Sequence, residues 1–252
     1  MAKRKVQKTI LLLFIMLASI WAAVFLGAEH FQIEHIEVFG NDQLQSEDII
    51  KLSGIERYDN ILKLDKPLIK RRLESNPYIM VKNIGRSYPD GVYIDIIERK
   101  KGAIIPYLAS DITIDRYGVV LEIDDRDTND RDYPFITGLN VKGFVKGEKI
   151  VPGDGYQFRA LLRILEGIYE EGIEDSIYEI HMDDPNDIYI ISRDGINIKL
   201  GQAINVDDKL KWLTTEEFES LEPNSLSNWV FDISVLGRAT FSPVTDWSEE
   251  YE

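Results

Sequence analysis

Asp125, Asp127 and Asn129 stand two residues apart and are followed by Asp130. That is the opening spacing of a calcium loop, in which alternate side-chain oxygens ring a divalent cation. An EF-hand loop needs glycine sixth and glutamate twelfth. Here those positions are Asp130 and Ile136, so the sharp turn and the bidentate ligand are missing and the run reads as a solvated acidic loop. Asp183-Asp184 before Pro185 reads as a polar turn. The histidines, His30, His35 and His181, are isolated and show no i, i+4 pair for zinc. The chain holds no Gly-x-Ser-x-Gly elbow and no Ser-x-x-Lys, so a serine nucleophile has no recognisable setting. With 44 Asp and Glu, a glycosidase-type pair of carboxylates can be drawn almost anywhere and therefore marks nothing. Trp212, Trp229 and Trp247 read as core or interface anchors rather than sugar platforms. No catalytic residue, metal site or cofactor is expected.

The elements around these residues start with Thr9 to Ala28, twenty residues without a charge. As a helix rising about 1.5 Å per residue, the run is ~30 Å long, the thickness of a bilayer's hydrocarbon core. Lys3, Arg4, Lys5 and Lys8 precede it, which predicts a cytoplasmic stub over 1–8, a spanning helix over 9–28 and the bulk of the chain outside. The run exceeds a secretory h-region, and Leu26-Gly27-Ala28 is a poor cleavage signal. There is no cysteine, hence no disulfide and no lipidation site. Of 29 Lys and Arg, four precede residue 9, and none of the 44 acids falls before Glu29, so the remainder carries a net charge of −19. Such a surface repels phosphates, which argues against nucleic-acid binding.

From Glu29 the chain predicts a strand around Ile36 and Val38, closed by Gly40-Asn41. A helix follows, with Ser46 as N-cap and Gly54 as C-cap. A second begins after Asp65, has Pro67 in its first turn, buries Leu68, Ile69 and Leu73, and ends before Asn76-Pro77. Two strands come next, joined by Pro89-Asp90-Gly91. In the second, Val92, Ile94 and Ile96 face one way and Tyr93, Asp95 and Ile97 the other. Beyond Gly102 most elements are strands. Asp115 to Gly118 forms a turn, a helix runs from about Tyr156 to Glu171 with Leu161, Leu165 and Ile168 buried and Gly172 as cap, and Asp194-Gly195 predicts a two-residue hairpin turn with both residues at positive φ. Strands over Val230–Ile233 and Arg238–Ser242 flank Gly237, and DWSEEYE closes the chain as an acidic tail over 245–252.

Read together, "IEVFGNDQLQSEDIIKLSGI", "NILKLD", "LESNPYIMVKNI" and "YPDGVYIDIIERK", directly after a basic-flanked apolar run, resemble a POTRA domain of the form found in the bacterial division proteins FtsQ and DivIB. The order and spacing of Val38, Gly40, Asn41, Ser46, Ile49, Leu73, Pro77, Tyr78, Ile84, Pro89, Ile94, Ile96, Glu98 and Arg99 carry the resemblance. Gly102-Ala103 departs from it, standing where the family commonly has proline and alanine. It continues through Asp115 to Val120, Pro134-Phe135-Ile136-Thr137-Gly138, Asp194-Gly195 to Gly201, and Lys209-Leu210 as the start of a helix. The resemblance implies an α+β chain: the spanning helix, a POTRA domain (βααββ) over 31–101, and a mixed, mostly antiparallel β domain with flanking helices over 102–244.

It also implies a function without chemistry of its own: a single-pass scaffold of the division septum that helps assemble and regulate septal peptidoglycan synthesis. The implied partners are FtsL-like and FtsB/DivIC-like single-pass proteins and other division proteins, besides the membrane itself. The last strand, a candidate sheet edge for a partner strand, has Ala239 and Phe241 on one side and Arg238, Thr240 and Ser242 on the other. The family's docking surface, carried over by motif, covers Phe231, Ser234, Val235, Arg238, Ala239, Thr240, Phe241 and Ser242, with Ser234 standing where many relatives have arginine. The competing reading is a membrane-anchored cell-wall hydrolase that uses paired carboxylates.

Overall fold

The computed structural model describes residues 2–27, 31–125, 132–221 and 229–243. The chain divides into two compact units, Met1–Glu98 and Arg99–Glu252. Within the first, helix α1 (Ala2–Gly27) contains most of the apolar run. Its side chains are described only for 7, 8 and 10–21. Among the described residues no helix is long and apolar enough to cross a membrane. The described apolar stretch, 10–21, is only about 18 Å of helix, so the expected span of 9–28 is not established by it. Ala28, Glu29 and His30 lie outside the described residues, as do Asp127, Asn129 and Asp130 of the acidic loop, Trp247 and the tail.

The POTRA-like unit follows as β1 (His35–Phe39), α2 (Ser46–Ser53), α3 (Lys66–Leu73), β2 (Ile79–Ser87) and β3 (Gly91–Glu98). Its sheet has the order β1-β3-β2, with β1 parallel and β2 antiparallel to the central β3. In β3 the expected alternation places Val92, Ile94 and Ile96 in the core. Val81 and Ile84 are three apart, yet both are buried, because a bulge at Lys82 shifts the register of β2. Ile33, Ile49, Ile61, Ile69 and Leu73 complete the core from the helix side. Asp65 caps α3 by accepting from the Leu68 amide at 3.0 Å, and Gly54 ends α2 in the left-handed region. Ser46 is not the N-cap of α2. It is the first helical residue, Gln45 occupies the cap position without a side-chain bond, and the Ser46 hydroxyl accepts from Asn41 instead. One oxygen of Glu98 accepts three successive amides, from Asp42, Gln43 and Leu44, at 2.8–3.2 Å, which fixes the loop after β1. Gly40 must be glycine there: a Cβ would collide with the Ile96 carbonyl.

The second unit is built on a nine-stranded sheet. Its elements are β4 (Ala103–Tyr107), β5 (Ser110–Ile114), β6 (Val120–Asp125), β7 (Phe135–Thr137), the small pair β8 (Val141–Gly143) and β9 (Val151–Pro152), α4 (Gly155–Glu171), β10 (Ile177–His181), β11 (Ile188–Ser192), β12 (Asn197–Gly201), α5 (Val206–Leu210), α6 (Glu216–Glu219), β13 (Trp229–Asp232) and β14 (Thr240–Pro243). The strand order is β14-β13-β12-β11-β10-β7-β4-β5-β6, and five of its eight pairings are antiparallel. The mixed α+β class is as expected. Helix α4 buries Leu161, Ile164, Leu165 and Ile168 in one cluster with Ile105, Ile136, Ile180, Ile190 and Ile198 of the sheet. Asp154 caps its start and Gly172, at φ 66°, ends it.

Three polar devices hold this unit. Arg99 pairs at 2.6 Å with the buried Asp115, whose other oxygen accepts the Tyr117 and Val119 amides of the turn into β6. Gln157, buried at the start of α4, donates to the carbonyls of Gly138 and Met182 and accepts from the Asn140 amide, tying the ends of β7 and β10 to the helix. The β11–β12 hairpin departs from its expected turn. Gly195 is at φ 83°, but Asp194 is not among the positive-φ residues. The loop is Arg193-Asp194-Gly195, with Gly195 N donating to Ser192 O and Ser192 N to Ile196 O. The Ser192 hydroxyl accepts the Ile196 amide, which favours this longer turn over the two-residue one.

Candidate functional site

β13 runs parallel to the interior strand β12, and Val230 and Phe231 are both buried. The chain then reverses. Asp232 accepts the Ser234 amide at 2.8 Å, Arg238 N donates to Val235 O at 3.2 Å, and Gly237 takes φ 72° in the third position of that turn. β14 returns antiparallel, with Phe231 opposite Phe241 and Asp232 opposite Thr240. The strands are shifted from expectation: Ile233 falls after β13, Arg238 and Ala239 precede β14, and Pro243 ends it.

Among the described residues β14 is the terminal strand of the sheet and pairs with β13 alone. It carries no charge. Phe241 is 39% exposed, and its ring lies 4.7 Å from that of buried Phe231, which in turn lies 5.3 Å from Phe218. The three rings form a stack that starts under the sheet and emerges at its edge.

The eight residues expected at the docking surface do not share one face. Thr240, Phe241 and Ser242 lie along the edge, Ala239 is half-buried against the core, and Val235 and Arg238 are exposed at the turn. Phe231 lies beneath Phe241, and Ser234 sits close over Gly201, where a Cβ would come within 2.8 Å. Both act from below. Sequence reasoning missed Leu236, 53% exposed at the turn, while Trp229, read as a core or interface anchor, is exposed on β13. It also missed Phe218. Leu236 could have been found from its place before Gly237 in a turn; Phe218 leaves no such signal.

Beside the turn is an open cavity of about 450 Å³ whose lining includes Asp187, Lys199, Gln202, Lys209, Ser234 and Leu236. Lys199 is held by Asp187 at 2.8 Å and lies over the Tyr189 ring; the bond to Asp187 raises its pKa despite burial. Lys209 was expected at the start of a helix but stands in the last turn of α5. Its buried ammonium donates to the carbonyls of Leu200 and Gln202, and burial lowers its pKa against the pull of Asp232. Both lysines are thus engaged in holding β12 to its neighbours. Elsewhere, His181 sits 2.9 Å from the Thr137 hydroxyl, which donates to Glu179, and Asp184 accepts the Asn186 amide as a turn residue. Trp212 is half-buried against the core.

Comparison with known proteins sets these features in a family. Residues 31–99 match the family model described as POTRA domain, FtsQ-type, and residues 106–220 match Cell division protein FtsQ/DivIB, C-terminal. A cell division protein DivIB from Clostridium tetani is 30% identical over 202 residues, covering 78% of this chain and 73% of the relative. The chain belongs to the FtsQ/DivIB family. A cell division protein FtsQ from Syntrophotalea carbinolica is 29% identical over 69% of this chain and is itself covered over 61% of its length. The solved major extracytoplasmic domain of DivIB from Geobacillus stearothermophilus aligns at 16% identity with a TM-score of 0.30, covering 45% of this chain and 87% of that one. As an FtsQ/DivIB family member, the protein stands among bacterial cell-division proteins.

Proposed function

We propose that this FtsQ/DivIB protein is a single-pass scaffold of the division septum that recruits FtsB/DivIC-like and FtsL-like partners by strand addition at β14 and thereby helps assemble and regulate septal peptidoglycan synthesis. The observation that carries the reading is the edge itself. Natural sheets blunt exposed edges with charges, bulges, covering loops, short strands or proline; β14 is short and ends in Pro243, but it has no charge, an exposed Phe241 and no covering segment among the described residues. A partner strand laid there gains main-chain hydrogen bonds, and its alternate side chains meet Phe241 on one side and Thr240 and Ser242 on the other.

The anchor belongs to the same proposal. In the described part of α1, Ile10 to Leu17 and Ile20 are each more than half exposed, so apolar side chains point outward all round the helix. That suits a lipid surround better than water. With the basic residues before it, the helix would leave the two folded units outside the cytoplasm and confine them to the surface that single-pass partners share, raising effective concentration.

The test is a pull-down of the detergent-purified full-length chain with DivIC-like and FtsL-like ectodomains, comparing wild type with Phe241→Asp and Thr240→Pro. Loss of DivIC capture by folded variants is expected. Undiminished capture by both would sink the edge proposal, and no capture by wild type would remove the partner assignment.

A further inference from the structure

His35 is the first residue of β1, Glu34 immediately precedes it, and Asp90 lies in the turn between β2 and β3. A carboxylate oxygen of Glu34, a ring nitrogen of His35 and a carboxylate oxygen of Asp90 all lie within 4.8 Å of one another. The backbone holds them there. The amides of Glu34 and His35 both donate to the Asp90 carbonyl, at 2.9 and 3.3 Å, and the first rung of the parallel β1–β3 ladder pairs His35 with Gly91. Two carboxylates and an imidazole therefore converge, and among the described residues no lysine or arginine forms an ion pair with either carboxylate. The acidic pairs and turns seen elsewhere differ: Asp187 has Lys199, Asp115 has Arg99, and Glu98 has three amides.

We propose that Glu34, His35 and Asp90 form a site for one divalent cation of the zinc class, with the remaining coordination positions open to water. The donor set decides the class. One imidazole nitrogen with two carboxylates suits zinc, whereas calcium and magnesium take all-oxygen shells. The three side chains are exposed or half-exposed, so the ion enters without any opening of the fold. Its structural effect is a clasp. It joins the start of the edge strand β1 to the β2–β3 turn, adding to the two hydrogen bonds on the Asp90 carbonyl and the His35–Gly91 rung.

The test uses the full-length chain in detergent, stripped with chelator and titrated calorimetrically with zinc, calcium or magnesium alone, with thermal unfolding followed in parallel. One saturable zinc site and a zinc-dependent rise in Tm are expected for wild type. Each of His35→Ala and Asp90→Asn should weaken zinc by roughly tenfold or more, since even residues behind a metal's direct ligands change affinity by that much. His181→Ala, remote in sequence and bonded to Thr137, should keep the site. The metal-free Tm of each variant separates a lost ligand from a lost fold, and Glu34→Gln supplies a second variant should His35→Ala misfold. Absence of a saturable zinc site in wild type, unchanged binding in His35→Ala and Asp90→Asn, or calcium binding as tight as zinc would overturn the proposal.

Discussion

On one side of the nine-stranded sheet, β6 carries Glu122, Asp124 and Asp125, and its first residue is covered: Val120 N donates to Glu148 O and Gly147 N to Val120 O. On the other side, β14 has the sequence Thr-Phe-Ser-Pro, no charge and an exposed aromatic ring. The two ends are also held differently. The turn into β6 is locked by a buried ion pair, Arg99–Asp115, and two amides on Asp115, while β14 rests on the ring stack of Phe218, Phe231 and Phe241. In the POTRA unit the edge strand β2 is protected in the manner of β6, by a bulge at Lys82 and an ion pair of Lys82 with Asp95. In an acidic chain where the other defended edges carry charge, the bare one stands out. Guarded edges disfavour pairing, and the proposed docking at β14 rests on an edge whose protection is a short strand and a terminal proline rather than charge.

The contrast can be broken at either end. The largest effect is expected from Asp115→Ala, which leaves the half-buried Arg99 without this partner and two amides without an acceptor. It should cost about 3–5 kcal/mol, read as a lower denaturant midpoint. Next, Phe241→Asp should weaken binding of a DivIC-like ectodomain by about 2 kcal/mol in a titration, with the fold kept because Phe231 and Phe218 still fill the core. Neutralising β6 by Asp124→Thr with Asp125→Thr should leave stability within about 0.5 kcal/mol but raise concentration-dependent self-association, measured by sedimentation. If β6 stays monomeric without its charges, the covering loop rather than the carboxylates is what guards it. The smallest effect concerns Lys209. Its folded pKa lies below the ordinary lysine value, so between the two the unfolded chain binds more protons and stability rises with pH across that window. Lys209→Met should flatten this slope, whatever it does to the midpoint, in urea titrations at pH 8 and pH 10.

Much of this was legible in the sequence because it depends on local periodicity. The alternation over Val92 to Ile97, the buried face of α4 and its Gly172 cap are each set by neighbours a few residues apart. The edge position of the last strand was legible too, through its place in the chain and its family resemblance. What was not legible depends on partners distant in sequence. Gln157 reads as an ordinary helix residue until Gly138 and Met182 meet it. His35 reads as isolated until the β2–β3 turn brings Asp90 beside it. At Ser46 and Asp194 the local rule was outweighed by another bond, from Asn41 in one case and to Ser192 in the other. Phe231 was carried into the docking surface by motif, which gives a place in the chain but not a depth, and it is buried.

The most direct measurement places a photo-crosslinking amino acid at Ser242 on β14 or at Ile123 on β6, both exposed, in the full-length chain in dividing cells. The account predicts an adduct with a DivIC-like partner from position 242 and none from position 123. Adducts from 123 alone, or equally from both, would contradict it.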